Sequence, residues 1–357
     1  MSLLKEFEID DSAVDEGLPW GGLTLPHVMQ QKGGSFFSVI EYAPYERTAL
    51  TKNLVLPEFR RGWAVWNECQ YTPAGDRDFI ILFWNPFETK AEPFLENALG
   101  KNIDKGGALK YFGELAENLC SELSKNTAAK LLTYQDLLDV LSFTLTLNAP
   151  SVAMPEVPLY MDALLSQDVR FKFKANDIYI NGRRVLIATL PTLKSPWRLF
   201  DRIKNFSYRY VRRILLFSRS EAELDLKKYD GKWCPHRKVM LEAIEKNVLS
   251  EVNSYYYSGV IFHLEESEYE SARRYLAETL TAAGEPCVFE KFNLKDVWWG
   301  SLPGVYLANV TPPIVGFGSF EEFILTKDES RSARQEQKFQ RILDEIESER
   351  GGANVPH

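Results

Sequence analysis

The chain has 357 residues, enough for two domains or for one large α+β domain. Hydrophobic residues make up 45% of it and charged residues 26%, so we expect a packed core and exclude wholesale disorder. The formal net charge of −8 disfavours a general affinity for nucleic-acid phosphates, which bind to basic surfaces.

The cysteines are scattered along the chain and suggest no disulfide framework, which suits a reducing cytoplasm. Residues 1–16 are acidic and lack the basic and apolar regions of a signal peptide. No run approaches the ~18–20 consecutive apolar residues that span a bilayer. We therefore expect a cytoplasmic protein with at most a peripheral attachment to a membrane.

Three β-strands are predicted near the start of the chain. Residues 35–42, 62–71 and 78–85 carry the alternating or continuous apolar patterns of strands. The last two are separated by Thr72–Asp76, which has the composition of a turn. The apolar run Phe79–Trp84 indicates a strand that is buried on both faces.

Helical spacing follows. Apolar residues recur every three or four positions between about residues 105 and 125, which predicts a helix with one buried stripe. Thr133 is a candidate N-cap for a second helix, since Asp136 lies three places on, which is close to the capping-box pattern. Leucines at helical spacing then supply the buried face of this second helix.

A proline-rich break at residues 148–158 separates two predicted subdomains, one in residues 1–150 and one in residues 151–326. The second contains a predicted three-strand meander, two further long strands and several helices. Hairpins mixed with strand–helix–strand units indicate an α+β fold with mixed or antiparallel sheets. The tail, residues 327–357, is charged and predicts a C-terminal amphipathic helix whose apolar residues include Phe339, Ile342 and Ile346.

No recognisable catalytic or cofactor site emerges. A P-loop needs the pattern G-x-x-x-x-G-K-[ST], and the two Gly-Lys pairs, at Gly100 and Gly231, each fail at two positions. Cys234 and His236 lie close together but lack a second pair at zinc-like spacing. Gly300-Ser301 has the wrong spacing for a nucleophile elbow. We expect no catalytic residue, no metal and no ATP site in this chain.

Two segments alternate cations with apolar residues. These are residues 170–174 and the stretch with Tyr208, Tyr210, Arg212 and Arg213. On a strand, this alternation places charged and apolar groups on opposite faces. The simplest interpretation is a solvated sheet face over a core. The alternatives are a docking face for an acidic partner or for anionic lipid headgroups, and then a surface for single-stranded DNA.

The most distinctive segment runs from Val297 to Gly304 and reads V-W-W-G-S-L-P-G. Two adjacent tryptophans, followed by glycine and a Pro-Gly pair, predict a rigid turn between a packed segment and an extended one. We expect Trp298, Trp299, Leu302 and Pro303 to belong to a contact region, together with the alternating segment and the tail helix.

The W-x-G-S-L-P-G pattern, with Asn309-Val310 and two prolines after it, resembles the CagE/TrbE/VirB component of type IV secretion and conjugation systems. Further stretches agree in the same order and extend the resemblance over roughly Leu18 to Phe323. They are Leu18–Trp20, Lys32–Phe36, Gly62–Ala64 with Glu68, Val157–Leu165, and Lys228-Tyr229 with Lys232-Trp233.

The resemblance implies an ATPase bound peripherally to the inner membrane, with an amino-terminal half for docking and a carboxyl half that holds the P-loop motor. After Phe323 this chain departs from that pattern, and no position matches a family ATP-binding residue. The resemblance thus predicts a non-catalytic scaffold. The motor would be encoded separately or lost by truncation, or the chain would be a stand-alone accessory. Implied partners are inner-membrane channel components, a separate P-loop subunit and further copies of the chain. A nucleic-acid-binding accessory remains the alternative.

Overall fold

The computed structural model describes residues 20–31, 35–43, 63–84, 105–125, 127–148, 161–166, 169–174, 177–190, 203, 205–218, 252–282, 287–291, 294–304, 314–316 and 341–342. Statements about structure below refer to these residues.

A single large β-sheet organises the described residues, and every pairing among its strands is antiparallel. The main path runs in the order β1-β2-β3-β5-β4-β10-β11-β9-β8-β7, while β6 pairs with β3, β12 with β9 and β13 with β11. The strands are β1 (Trp20–Leu25), β2 (Val28–Gln31), β3 (Phe36–Tyr42), β4 (Trp63–Thr72), β5 (Gly75–Trp84), β6 (Ala129–Leu131), β7 (Phe171–Lys174), β8 (Asp177–Ile180), β9 (Arg183–Thr189), β10 (Tyr208–Ser218), β11 (Val252–Leu264), β12 (Val288–Phe289) and β13 (Ile314–Gly316).

Five described helices accompany the sheet. They are α1 (Lys105–Ser124), α2 (Tyr134–Thr146), α3 (Met161–Ser166), α4 (Tyr269–Ala282) and α5 (Leu294–Gly300). None of them combines the length and apolar character needed to cross a bilayer. The antiparallel sheet with helices packed on it confirms the predicted α+β class.

Helices cover both faces of the central strands of the sheet, so these strands are buried on two sides. On one face α2, α3 and α5 share a core with the odd-numbered residues of β3 and β5, such as Phe37 and Phe83. On the other face α1 packs against the even-numbered residues of the same strands, such as Phe36 and Trp84. Helix α4 covers the β10–β11–β9 part of this second face. The continuous apolar run of Phe79–Trp84 is thereby explained, because all six residues are buried.

Most predicted elements are confirmed, and their differences have local causes. Helix α2 begins at Tyr134 with Thr133 at the N-cap position, but the threonine side chain makes no capping hydrogen bond. The meander predicted up to Leu190 is present as β7, β8 and β9. Trp298 and Trp299 lie in the short helix α5, and the predicted turn begins only after them, at Ser301. The predicted helices at 196–206 and 221–252 lie largely outside the described residues.

The strand pairing crosses the predicted boundary near residue 150. Strand β4, from the first predicted subdomain, pairs with β10 from the second over eight consecutive residue pairs, from Tyr208–Tyr71 to Leu215–Ala64. The two parts therefore share one sheet at this position. Of the predicted tail helix, only Arg341 and Ile342 are described, and they are helical.

The β8–β9 hairpin depends on a glycine. Asn181 and Gly182 form the two-residue turn with φ angles of 53° and 82°, as a type I′ turn requires. We expect Gly182→Ala to lower the free energy of unfolding by about 1 kcal/mol, because a β-carbon is disfavoured at positive φ. Urea denaturation measures this change. Gly75→Ala, in the β4–β5 turn, is the matched control, since its added carbon meets open space at ordinary φ. Equal effects in the two variants would contradict the explanation.

Candidate functional site

Strand β10 runs through the middle of the sheet and carries the predicted cation–aromatic segment. Tyr208, Tyr210 and Arg212 point to the α4 face, whereas Arg209 and Arg213 point to the α2–α5 face. All of these side chains are at most 4% exposed. The prediction of a solvated or docking face is therefore wrong for this segment, because β10 has paired strands on both sides and covered faces above and below.

A fully buried ion pair lies at the centre of the α2–α5 face. The Arg209 guanidinium donates two parallel hydrogen bonds to Glu68 on the neighbouring strand β4, from Nε to Oε1 at 2.9 Å and from Nη2 to Oε2 at 2.8 Å. Both side chains have 0% exposure. Bidentate geometry of this kind is the strongest arrangement for an arginine–carboxylate pair. It is needed here, because removing two charges from water is expensive.

Helix α2 completes the bonding of the pair. Gln70, two residues beyond Glu68, donates from Nε2 to Glu68 Oε1 at 2.8 Å and to the Val140 carbonyl at 3.1 Å. The Thr144 hydroxyl lies 3.3 Å from the same glutamate oxygen. The Thr144 carbonyl accepts a 3.1 Å hydrogen bond from Arg209 Nη1. The ion pair thus ties β4, β10 and α2 together.

The same cations hold the turn that follows α5. Arg209 Nη2 donates to the Ser301 carbonyl at 2.9 Å, and Arg213 Nη1 donates to the Gly300 carbonyl. From the far edge of the sheet, the Trp20 indole nitrogen donates to the Pro303 carbonyl at 2.8 Å. The backbone carbonyls of Gly300, Ser301 and Pro303 therefore each accept a hydrogen bond from a buried donor. The G-S-L-P-G stretch and the two arginines, which were predicted as separate contact regions, bind each other.

Steric crowding explains why glycine occupies two positions of the turn. Gly304 has φ of 78°, and a β-carbon there would lie 2.0 Å from Gln31 Nε2. A β-carbon on Gly300 would come within 3.2 Å of Arg213 Nη1, the group that binds the Gly300 carbonyl. Close packing therefore favours glycine at both positions, and the positive φ of Gly304 favours it there as well.

The aromatic and apolar side chains of the segment face inward. Trp298 and Leu302 have 0% exposure, and Pro303 is buried. Trp298 meets the ring of Phe171 edge-on at 5.2 Å, and the half-buried Trp299 lies 6.5 Å from the same ring. The prediction that these residues form an external contact region is wrong for Trp298, Leu302 and Pro303, because the chain's own core covers them.

Arg341 and Ile342, the described residues of the tail, both contact the body of the chain. Ile342 has 0% exposure and packs against Ala43 and Ala128. Arg341 donates to the buried carboxylate of Glu41, which also accepts a bidentate pair from Arg77. Burial alone would raise the pKa of Glu41, but Arg77 and Arg341 together hold that pKa below its ordinary value. Phe339 and Ile346, the other predicted contact residues of the tail, lie outside the described residues.

A second polar cluster lies on the α1–α4 face. Cys69, Asp76 and Asp78 bring one potential ligand atom each to within 4.8 Å of the others. Each of the three also interacts with other groups of the chain. Burial, with the charge of Asp78 adding to it, raises the pKa of the neighbouring Tyr42. Cys69 and Asp78 are buried and Asp76 is partly buried, so the cluster lies largely inside the protein. Cys234 and His236 lie outside the described residues.

The sequence predicts the cation–aromatic segment of β10 but not the residues that bind Arg209. The sequence patterns include Glu68 only through the family resemblance, and they assign no role to Gln70 or Thr144. A usable signal existed, since Glu68 and Gln70 fall on the same face of β4 as the apolar Trp66. A carboxylate at such a position requires a buried cation.

The buried pair predicts a large cost for removing one charge. We expect Glu68→Gln to lower the free energy of unfolding by about 3–5 kcal/mol, because Arg209 would remain buried without its counter-charge. Chemical denaturation of the purified chain measures the loss. Glu266→Gln is the matched control, because Glu266 pairs with Arg184 at 3.2 Å but its side chain is 60% exposed. That change should cost at most about 1 kcal/mol. Similar losses in both variants would contradict the proposed importance of the Glu68 pair.

His263 on β11 predicts a pH dependence. Burial, with the charge of Arg209 adding to it, lowers the pKa of His263 to about 3. The unfolded imidazole binds a proton below its ordinary pKa of 6.5, while the folded one stays neutral. Stability is therefore fully present above pH 6.5 and falls by about 1.4 kcal/mol per pH unit as the pH drops toward 3.

We expect His263→Gln to flatten the pH dependence of unfolding between about pH 6.5 and 4.5. Urea titrations at several pH values measure the slope. Phe262→Leu, which alters the adjacent core residue on the opposite face, should lower stability equally at each pH. An unchanged slope in His263→Gln would show that this imidazole is not the responsible group.

Part of this chain is similar in sequence to a known protein. No protein-family model matches it. Over 238 residues it is 23% identical to the conjugal transfer protein TrbE of Rhizobium radiobacter, a match that covers 57% of this chain and 28% of that protein. The match thus spans less than a third of the relative's length. With the predicted resemblance to the CagE/TrbE/VirB component, this similarity identifies the chain as a distant relative of TrbE-type conjugal transfer proteins.

Proposed function

We propose that this chain is a non-catalytic scaffold of a conjugal transfer or type IV secretion machine. The observation that carries the proposal is the similarity to the conjugal transfer protein TrbE. The site adds a physical argument of its own. Its most distinctive residues, the ion pair and the tryptophan turn, bind each other inside the core, as residues that stiffen a framework do.

The chemistry of the buried centre supports a structural role. Glu68 and Arg209 each satisfy the other's charge, and their remaining hydrogen bonds go to Gln70, Thr144 and the turn. A general acid or base needs a reactive proton within reach of a substrate. At 0% exposure this pair meets only groups of the chain itself. The two Gly-Lys pairs in the sequence also fail the P-loop pattern, so we propose that the chain does not hydrolyse ATP.

We further propose that the scaffold works at the cytoplasmic side of the inner membrane. Its partners there would be inner-membrane components of the transfer channel, a separate P-loop motor subunit or further copies of the chain. A rigid sheet suits such a role, since surfaces mounted on a stiff framework lose less conformational freedom on binding than mobile segments do.

Co-purification tests this proposal. A tagged chain is expressed in a host that carries a complete set of transfer genes, and proteins retained on the tag are identified by mass spectrometry. We expect inner-membrane transfer components to be retained, and we expect the purified chain to show no saturable ATP turnover. Saturable ATP hydrolysis would contradict the non-catalytic part. Retention of no transfer component would contradict the scaffold part.

Matched variants make the retention experiment specific. Gly304→Ala places a carbon 2.0 Å from Gln31 Nε2 and should displace the turn, so retention should fall in proportion to the loss of folded protein. Glu266→Gln changes an exposed ion pair and should retain partners as the unaltered chain does.

A further inference from the structure

Strand β7 lies at one end of the main sheet path and pairs with β8 on one side. Among the described residues no strand pairs with its other edge. Phe171 and Phe173 point into the core at 4% and 9% exposure, whereas Lys172 and Lys174 are exposed. The alternation predicted for this segment is confirmed, and here, unlike in β10, the cations reach solvent.

The backbone of β7 is oriented for a further strand. Arg170 donates its N–H to Asn181 Oδ1 at 2.8 Å and accepts a hydrogen bond from the Asn181 N–H at 2.9 Å, so both its backbone groups point toward β8. In an antiparallel ladder this orientation alternates from residue to residue. The N–H and C=O groups of Phe171 and Phe173 therefore point away from β8, toward the open edge.

The open edge is also electropositive. Arg170, Lys172, Lys174 and Lys295 are all exposed, and within the described part of the chain none of them has a carboxylate partner within 4.0 Å. Lys174 lies 4.8 Å from the ring of Tyr179, and Lys295 lies 5.2 Å from that of Phe173. Among the described residues, these four cations concentrate positive charge at this edge of a chain whose formal net charge is −8.

We propose that the β7 edge binds an extended, acidic segment of a partner protein by strand addition. Main-chain hydrogen bonds to Phe171 and Phe173 would align the bound segment with β7, as in other cases where a peptide extends a sheet. Acidic side chains at alternate positions of the segment would lie beside Lys172 and Lys174. The outward-facing amide and carbonyl groups favour a peptide over a lipid surface, because headgroups do not match the repeat of a strand edge.

Lysines on an edge strand also discourage unwanted pairing between sheets. That explanation predicts no affinity for any strand. The proposal predicts selective affinity for an acidic one, so the two are separated by measurement. The β7 edge would bind one kind of partner of the proposed scaffold. The biological role of this binding therefore rests on the proposed function. The test uses purified protein, so its failure would leave the co-purification result standing.

The test is fluorescence anisotropy with the full chain and a labelled peptide of about eight residues in which glutamate alternates with valine. We expect saturable binding that weakens as salt rises above about 50 mM, because exposed charges attract less strongly when screened. Lys172→Glu combined with Lys174→Glu should weaken binding by about tenfold or more. The control, Lys110→Glu combined with Lys125→Glu, makes the same charge change at exposed positions on α1 and directly after it, and should bind as the unaltered chain does.

Backbone chemistry separates strand addition from simple charge attraction. A peptide with N-methyl groups on alternate residues keeps its charge but loses the donors that face the edge, and it should bind at least about tenfold more weakly. Equal binding of both peptides, or equal binding by the β7 and α1 variants, would overturn the proposal.

Two further outcomes would assign the edge to another occupant and so also overturn the proposal. One is binding to phosphatidylserine vesicles, lost in the β7 variant, without peptide binding. The other concerns the chain's own Glu6–Asp10 stretch, in which acidic and apolar residues also alternate. If the combined change Glu6→Gln, Glu8→Gln and Asp10→Asn in the full chain raised peptide affinity about tenfold, that stretch would be the competing occupant.

Discussion

The ion pair between Glu68 and Arg209 is the constraint on which the rest of the described structure depends. Two charges with no exposure to water are tolerable only when their hydrogen-bonding groups are matched. Here the matching groups come from two adjacent strands, a helix and a turn. Each of these elements must be in place before the pair is fully satisfied. The pair therefore specifies the arrangement of its surroundings more than it adds to net stability.

This constraint explains why the turn after α5 has its particular sequence. Backbone carbonyls are good acceptors for buried cations, but they can approach closely only where no side chain intervenes. Glycine at position 300 allows that approach, and the Trp20 indole fixes the far end of the turn from β1 by its hydrogen bond to the Pro303 carbonyl. The tryptophans before the turn fill the space between α5 and the β7 rings. The W-x-G-S-L-P-G segment, on which the family resemblance depends, thus connects distant parts of one core through hydrogen bonds from Arg209, Arg213 and Trp20.

The sequence predicts individual strands and helices well, but it does not predict which strands pair with each other. The strands at residues 35–42 and 168–190 and the helix at 105–125 followed from periodicity, because burial of one side of an element leaves its mark in the sequence. The Asn181-Gly182 turn followed from the φ angles that it requires. The burial of the β10 segment could not be predicted in this way. The alternation of arginine and tyrosine is the same whether the charged face meets water or a buried carboxylate. Only the pairing of β4 with β10 reveals that Glu68 is the partner.

The pairing of β4 with β10 also bears on how the chain can fold. Glu68 and Arg209 are 141 residues apart, and the strands that carry them are neighbours in the middle of the sheet. Contacts of such long sequence separation close late and slow the folding of a domain. During synthesis, the β4–β5 hairpin can form and pair with β3, but the carboxylate of Glu68 must stay hydrated until β10 has been made. The centre of the sheet is therefore completed only after more than half of the chain exists, and until then its inner edge is open to incorrect strand pairing.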